Sequence, residues 1–104
     1  MRMMLKANIS TDKGNELARQ GKLGTVLQSI VADLKPEAAY FIEDNGERTG
    51  LIFFDMTDSS QIPAVAEPWF LALDAKITIK PAMNPDDLGK AVAGIEAVVK
   101  KYCE

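Results

Sequence analysis

Between Gly50 and Met56 the chain reads Leu-Ile-Phe-Phe-Asp, a run that would put large apolar side chains on both faces of a strand. The turn just upstream, Asp44-Asn45-Gly46-Glu47, fixes how that strand is paired. Asn-Gly is the preferred pair for a two-residue type I′ turn, because both positions need positive φ. With Asn45 and Gly46 as the loop, the segment Ala38 to Glu43 sets Glu43 against Arg48, Tyr40 against Leu51, Ala39 against Ile52 and Ala38 against Phe53. Ala39, Phe41, Ile52, Phe54 and Met56 then share one face. Ala38, Tyr40, Ile42, Leu51, Phe53 and Asp55 share the other. A sheet with one wet face shows clean alternation of apolar and polar residues. This hairpin does not, so both faces need cover.

The rest of the chain supplies cover for one face. Met3, Leu5, Ala7 and Ile9 alternate with Arg2, Met4, Lys6 and Asn8 as a first strand. Ser10-Thr11-Asp12 offers helix caps before a periodic segment through Leu34, with Gly14, Gly21 and Gly24 predicting a kink or a late start. Lys35-Pro36 ends it. Asp58-Ser59-Ser60 precedes a second helix carrying Val65, Trp69 and Leu73, which Pro68 should bend or split. Ala75, Ile77 and Ile79 alternate with Lys76, Thr78 and Lys80 as a fourth strand. Asn84-Pro85-Asp86-Asp87 opens a C-terminal helix over 84–102, with Leu88, Val92, Ile95, Val99 and Tyr102 as its apolar stripe. The order β-α-β-β-α-β over 2–82 predicts an α+β, ferredoxin-like antiparallel sheet with an extra C-terminal helix, all within one domain of 104 residues.

Two helices cover one face, leaving Tyr40, Ile42, Leu51 and Phe53 on the other. A bare patch of that kind is seldom tolerated by a monomer. A two-fold copy of the same sheet is the simplest cover, and the rival is the C-terminal helix folding across the face. The expected partner is therefore a second copy of the chain, bound through Tyr40, Ile42, Leu51 and Phe53.

Composition removes several functions. The net charge of −3 argues against a nucleic-acid surface, which needs clustered basic residues. No apolar run approaches the roughly 20 residues of a membrane span. The beginning of the chain does not read as a signal peptide, and the lone Cys103 fits a reducing cytoplasm. The chain has no histidine, which removes Ser-His-Asp triads, imidazole acid–base chemistry and most zinc sites within one chain. No metal and no cofactor is called for. Asp86 and Asp87 read as capping residues, and Gly21-Lys-Leu-Gly24 as part of a helix.

The first strand running into Asn8-Ile-Ser-Thr-Asp-Lys-Gly14, the Asn-Gly hairpin, and Glu67-Pro-Trp-Phe70 before the last strand give residues 2 to about 82 a pattern that resembles the dimeric α/β-barrel superfamily, antibiotic-biosynthesis-monooxygenase-like members among them. The resemblance implies two facing sheets and a small-molecule cavity in each protomer, between the sheet and nearby loops and helices. Lys6, Asn8, Tyr40, Phe53, Asp55, Trp69, Lys76 and Lys80 are the candidate ligand-binding residues, and the lysines suit an acidic, partly aromatic ligand. Lysines on an edge strand also serve to block aggregation, which is their alternative role. Haem-degrading members use an Asn on the first strand, a Trp on the second helix and a His on the iron. Asn8 and Trp69 match the first two approximately, but the missing histidine removes the haem ligand. The resemblance then leaves a cofactor-independent oxygenase or isomerase as an alternative, with Asn8, Asp55 and Trp69 as weak catalytic candidates. Asn8 polarising a substrate oxygen competes with a strand-end hydrogen bond, and Trp69 stacking on a substrate ring competes with core packing. Asp55 as a base competes with pairing to Lys6 or Lys76. A structural dimer whose barrel is filled by its own side chains is the remaining alternative.

Overall fold

The computed structural model describes residues 1–103. Its strands are β1 (Arg2–Asn8), β2 (Ala38–Asp44), β3 (Glu47–Asp55) and β4 (Lys76–Pro81), and its helices α1 (Thr11–Arg19), α2 (Leu23–Leu34), α3 (Ile62–Leu73), α4 (Pro85–Lys90) and α5 (Val92–Tyr102). One sheet in the order β2-β3-β1-β4, with every neighbouring pair antiparallel, contains all four strands. That arrangement is an α+β fold compatible with the ferredoxin-like order. No helix among the described residues is long and apolar enough to cross a membrane.

The hairpin has the register the Asn-Gly turn dictates. Asp44 pairs with Glu47, Glu43 with Arg48 and Tyr40 with Leu51, while Asn45 and Gly46 take φ of 51° and 80°. β1 then lies between β3 and β4, with Leu5 opposite both Ile52 and Ile79. Met3, Leu5 and Ala7 therefore face the same way as Ile52, Phe54, Ile77 and Ile79, toward the helices. Leu5, Ile9, Ile52, Trp69 and Leu73 are at most 1% exposed and form the centre of the core.

The long periodic segment is two helices. Gly21 sits in the left-handed region at φ 68° and closes α1 as a Schellman turn. Lys22 N–H donates to the Leu17 carbonyl and Gly21 N–H to that of Ala18. Ser10 caps α1 through Lys13 N–H. Ahead of α3, Asp58 and Gln61 form a capping box over a single 3₁₀ turn, Ser59–Gln61. Pro68 does not split α3, which runs unbroken through it.

The C-terminal segment departs furthest from a simple helix on a core. It divides at Ala91 into α4 and α5, neither of which has a buried residue. The chief neighbour of α5 is α4, so the helix does not lie over the open sheet face. The molecule is correspondingly long, 62 × 28 × 21 Å, with a radius of gyration of 17.5 Å. A compact chain of this size would have about 13 Å.

Candidate functional site

The face of the sheet turned away from α1–α3 collects most of the residues singled out by the sequence. From β2 come Tyr40, 60% exposed, and Ile42, 43% exposed; from β3 come half-buried Leu51 and Phe53. β1 presents Met4, Lys6 and Asn8, and β4 presents Lys76, Thr78 and Lys80. The register makes this one surface: Lys6 lies opposite both Leu51 and Thr78, and Met4 opposite both Phe53 and Lys80. The result is an apolar half on β2 and β3 beside a basic edge on β4.

A hydrogen-bonded cluster spans the sheet between them. Lys6 Nζ lies 2.8 Å from Asp44 Oδ2, which also accepts from Asn8 Nδ2 at 3.0 Å. Asn8 Nδ2 donates to Thr49 Oγ1 at 3.1 Å as well, and that hydroxyl donates to the Glu47 carbonyl. Both amide hydrogens of Asn8 are thus committed within the chain. The Lys6 bond, followed by that of Asn8, holds the Asp44 carboxyl below the usual carboxylate range. Lys76 and Lys80, by contrast, form no ion pair among the described residues and are exposed.

Asp55 stands at the end of the same face. It is exposed and accepts from the amino terminus of Met1 at 2.7 Å, so its partner is neither Lys6 nor Lys76. Trp69 is elsewhere: fully buried on α3, on the helix side of the sheet, with its indole Nε1 unpartnered. The structure does not bring Trp69 and Asn8 together, since β1 itself separates them. The space between sheet and helices around Trp69 is filled by core side chains.

Sequence reasoning missed Arg2. Its guanidinium bonds Glu37 and Asp87 at once, tying the residue before β2 and the first turn of α4 to the start of β1. The Glu37 bond, ahead of Asp87, raises the Arg2 pKa further. Asp87 is held low by the backbone N–H of Asn84, which caps α4 reciprocally, and by Arg2. A cleft of about 580 Å³ beside them is lined by Met1, Arg2, Lys35, Glu37, Asp55 and Asp87, whose positive and negative charges balance. The available signal was parity: Arg2 occupies the same face of β1 as Lys6. Among the described residues no group of three His, Cys, Asp or Glu side chains could hold a metal ion.

No protein-family model matches this chain, and a comparison with curated proteins finds no match.

Proposed function

We propose that this chain is a homodimer whose two open sheet faces meet, and that it binds a small acidic or aromatic molecule between them, where the apolar half of one face adjoins the basic edge. The observation that supports this reading is the uncovered face itself. Tyr40, Ile42, Leu51 and Phe53 form a continuous apolar surface, no helix among the described residues lies over it, and unpaired Lys76 and Lys80 stand beyond it on β4, across β1. Covering four such side chains at about 25 cal/mol per Å² is worth several kcal/mol before association costs. A ring carrying a carboxylate would satisfy the same surface, its ring on Phe53 and Tyr40 and its charge on a lysine.

Calorimetry with benzoate and 1-naphthoate tests the binding role. Both acids should bind the native chain, and Lys76→Met and Lys80→Met should each weaken binding by about tenfold, as expected for losing one charge-assisted hydrogen bond. No measurable binding, or affinities unchanged in both variants, would remove the ligand reading and leave a dimer filled by its own side chains.

A further inference from the structure

The C-terminal arm, α4 and α5, carries an apolar stripe with no buried residue in it. Leu88, Val92, Ile95, Val99 and Tyr102 recur at alternating spacings of four and three, the seam of a packed helix, yet each is between 47% and 71% exposed. An isolated helix as short as α5 is marginal in water unless its apolar side is covered.

The root of this arm is fixed at one corner of the sheet. Ala82 N–H donates to the Arg2 carbonyl at 3.1 Å. The Arg2 guanidinium then holds Asp87, in the first turn of α4, beside Glu37, the residue before β2. The arm therefore sets out from the beginning of β2, although the strand that leads into it, β4, lies at the opposite edge. Its joint is Ala91, where α4 ends and α5 begins, with the weak helix formers Gly89 and Gly94 on either side.

From that corner an apolar groove of about 380 Å³ runs along the β2 edge on the helix side, lined by Gly24, Leu27, Gln28, Val31, Ala32 and Phe41. Phe41 faces the helices by register but is 54% exposed. Past Leu27 and Phe41 the groove opens into a cleft lined by Glu43 and Glu47, with Arg48 beside them.

Length and charge fit the arm to this groove. From Asp87 to Lys100 is about 20 Å of helix at 1.5 Å per residue. From Glu37 to Glu43 is about 20 Å of strand at 3.3 Å per residue. An arm laid along β2 from its fixed root thus brings the basic last turn of α5, Lys100 and Lys101, level with Glu43 and Glu47. The open face of the sheet has the wrong sign for that turn, since Lys6, Lys76 and Lys80 share it. We infer that α5 is a strap that folds back at Ala91 along the β2 edge of its own chain, seating Ile95 and Val99 between Leu27, Val31 and Phe41. The extended arm is the open state. Closure covers stripe and groove together, and salt weakens it, because the charges that steer the last turn are exposed. The seat lies on the helix side and leaves the open face untouched, so the strap does not rest on the paired-sheet reading.

Cys103, exposed at the end of the arm, reports closure. Gly24→Cys, Ala32→Cys and Ile42→Cys would be made singly in the full chain and oxidised mildly at low micromolar concentration. Non-reducing gels and peptide masses then locate the link. The Gly24 position has open space for a side chain. The strap predicts a link within one chain from Cys103 in Gly24→Cys. It should form severalfold faster than in Ala32→Cys, nearer the root, or Ile42→Cys, on the open face. Lys100→Glu with Lys101→Glu should slow the Gly24→Cys link by at least about threefold, as for the loss of two exposed ion pairs. Adding Glu43→Lys with Glu47→Lys should restore it. No link in Gly24→Cys, links only between chains, equal rates at Ala32 or Ile42, or a rate indifferent to the charge reversals would each overturn the strap. Phe53→Glu, which separates the paired sheets on the proposed reading, should leave the Gly24→Cys link unchanged; a link lost with it would overturn closure within one chain.

Discussion

The two faces of β3 are built from alternate residues of one short segment and meet opposite fates. Ile52 and Phe54 are at most 2% exposed beneath the helices, whereas Leu51 and Phe53, equally apolar, are only half-buried. Intrinsic hydrophobicity does not separate the two sets. What separates them is cover: three helices return to one face, and α4 and α5, the remaining α-helices among the described residues, do not lie over the other. The comparison teaches that the buried face carries the chain's own stability, while the other face is left to whatever covers it, a second copy on the proposed reading.

That contrast predicts a hierarchy of mutational effects. The largest falls on the buried face, where Trp69→Ala should cost about 3–5 kcal/mol in chemical denaturation, as for other large-to-small core changes. Ile52→Ala should follow at about 2–5 kcal/mol. Truncating Phe53 to Ala should break the parallel: monomer stability should fall by much less, while the dimer dissociation constant, followed by dilution in sedimentation, should rise by at least about tenfold, since a central aromatic commonly anchors an interface. Equal losses of monomer stability for Ile52→Ala and Phe53→Ala would erase the distinction between the faces.

The smallest expected effect is electrostatic. The Asp44 carboxyl is depressed in the folded chain, by Lys6 first and Asn8 second. Its stabilising contribution is therefore complete above the unfolded value of about 3.9 and is lost as pH falls through the lower folded value. Asp44→Asn should therefore lose a small amount of stability at neutral pH, small because the pair is partly exposed, and its deficit relative to the native chain should vanish as pH falls through the folded value. An acid-unfolding curve identical to that of the native chain would show the Lys6–Asp44–Asn8 cluster to be incidental.

The hairpin shows how much of this was legible in the residues. Asn45-Gly46 determined the pairing, and period-two alternation placed Lys6, Asn8, Tyr40, Phe53, Lys76 and Lys80 on one face, as the register requires. Other features depended on geometry that spacing does not carry. Three glycines in one periodic segment predict a weakened helix, but which of them adopts positive φ depends on the surrounding hydrogen bonds, and only Gly21 does. Helical periodicity in Trp69 and in the α5 stripe looks the same in sequence; one is fully buried and the other is open, because periodicity records an apolar side and not what meets it. Arg2 bridging Glu37 and Asp87 joins residues 35 and 85 positions apart, beyond any local pattern.

The central claim, that a second copy covers the open face, is tested most directly by sedimentation equilibrium of the native chain and of Phe53→Glu at micromolar concentration. Paired sheets predict twice the chain mass for the native protein and the single-chain mass for the variant, with its fold retained by circular dichroism, because burying an unpaired carboxylate in that face is strongly unfavourable. A native chain that sediments as a monomer, or a Phe53→Glu variant that remains dimeric, would contradict it.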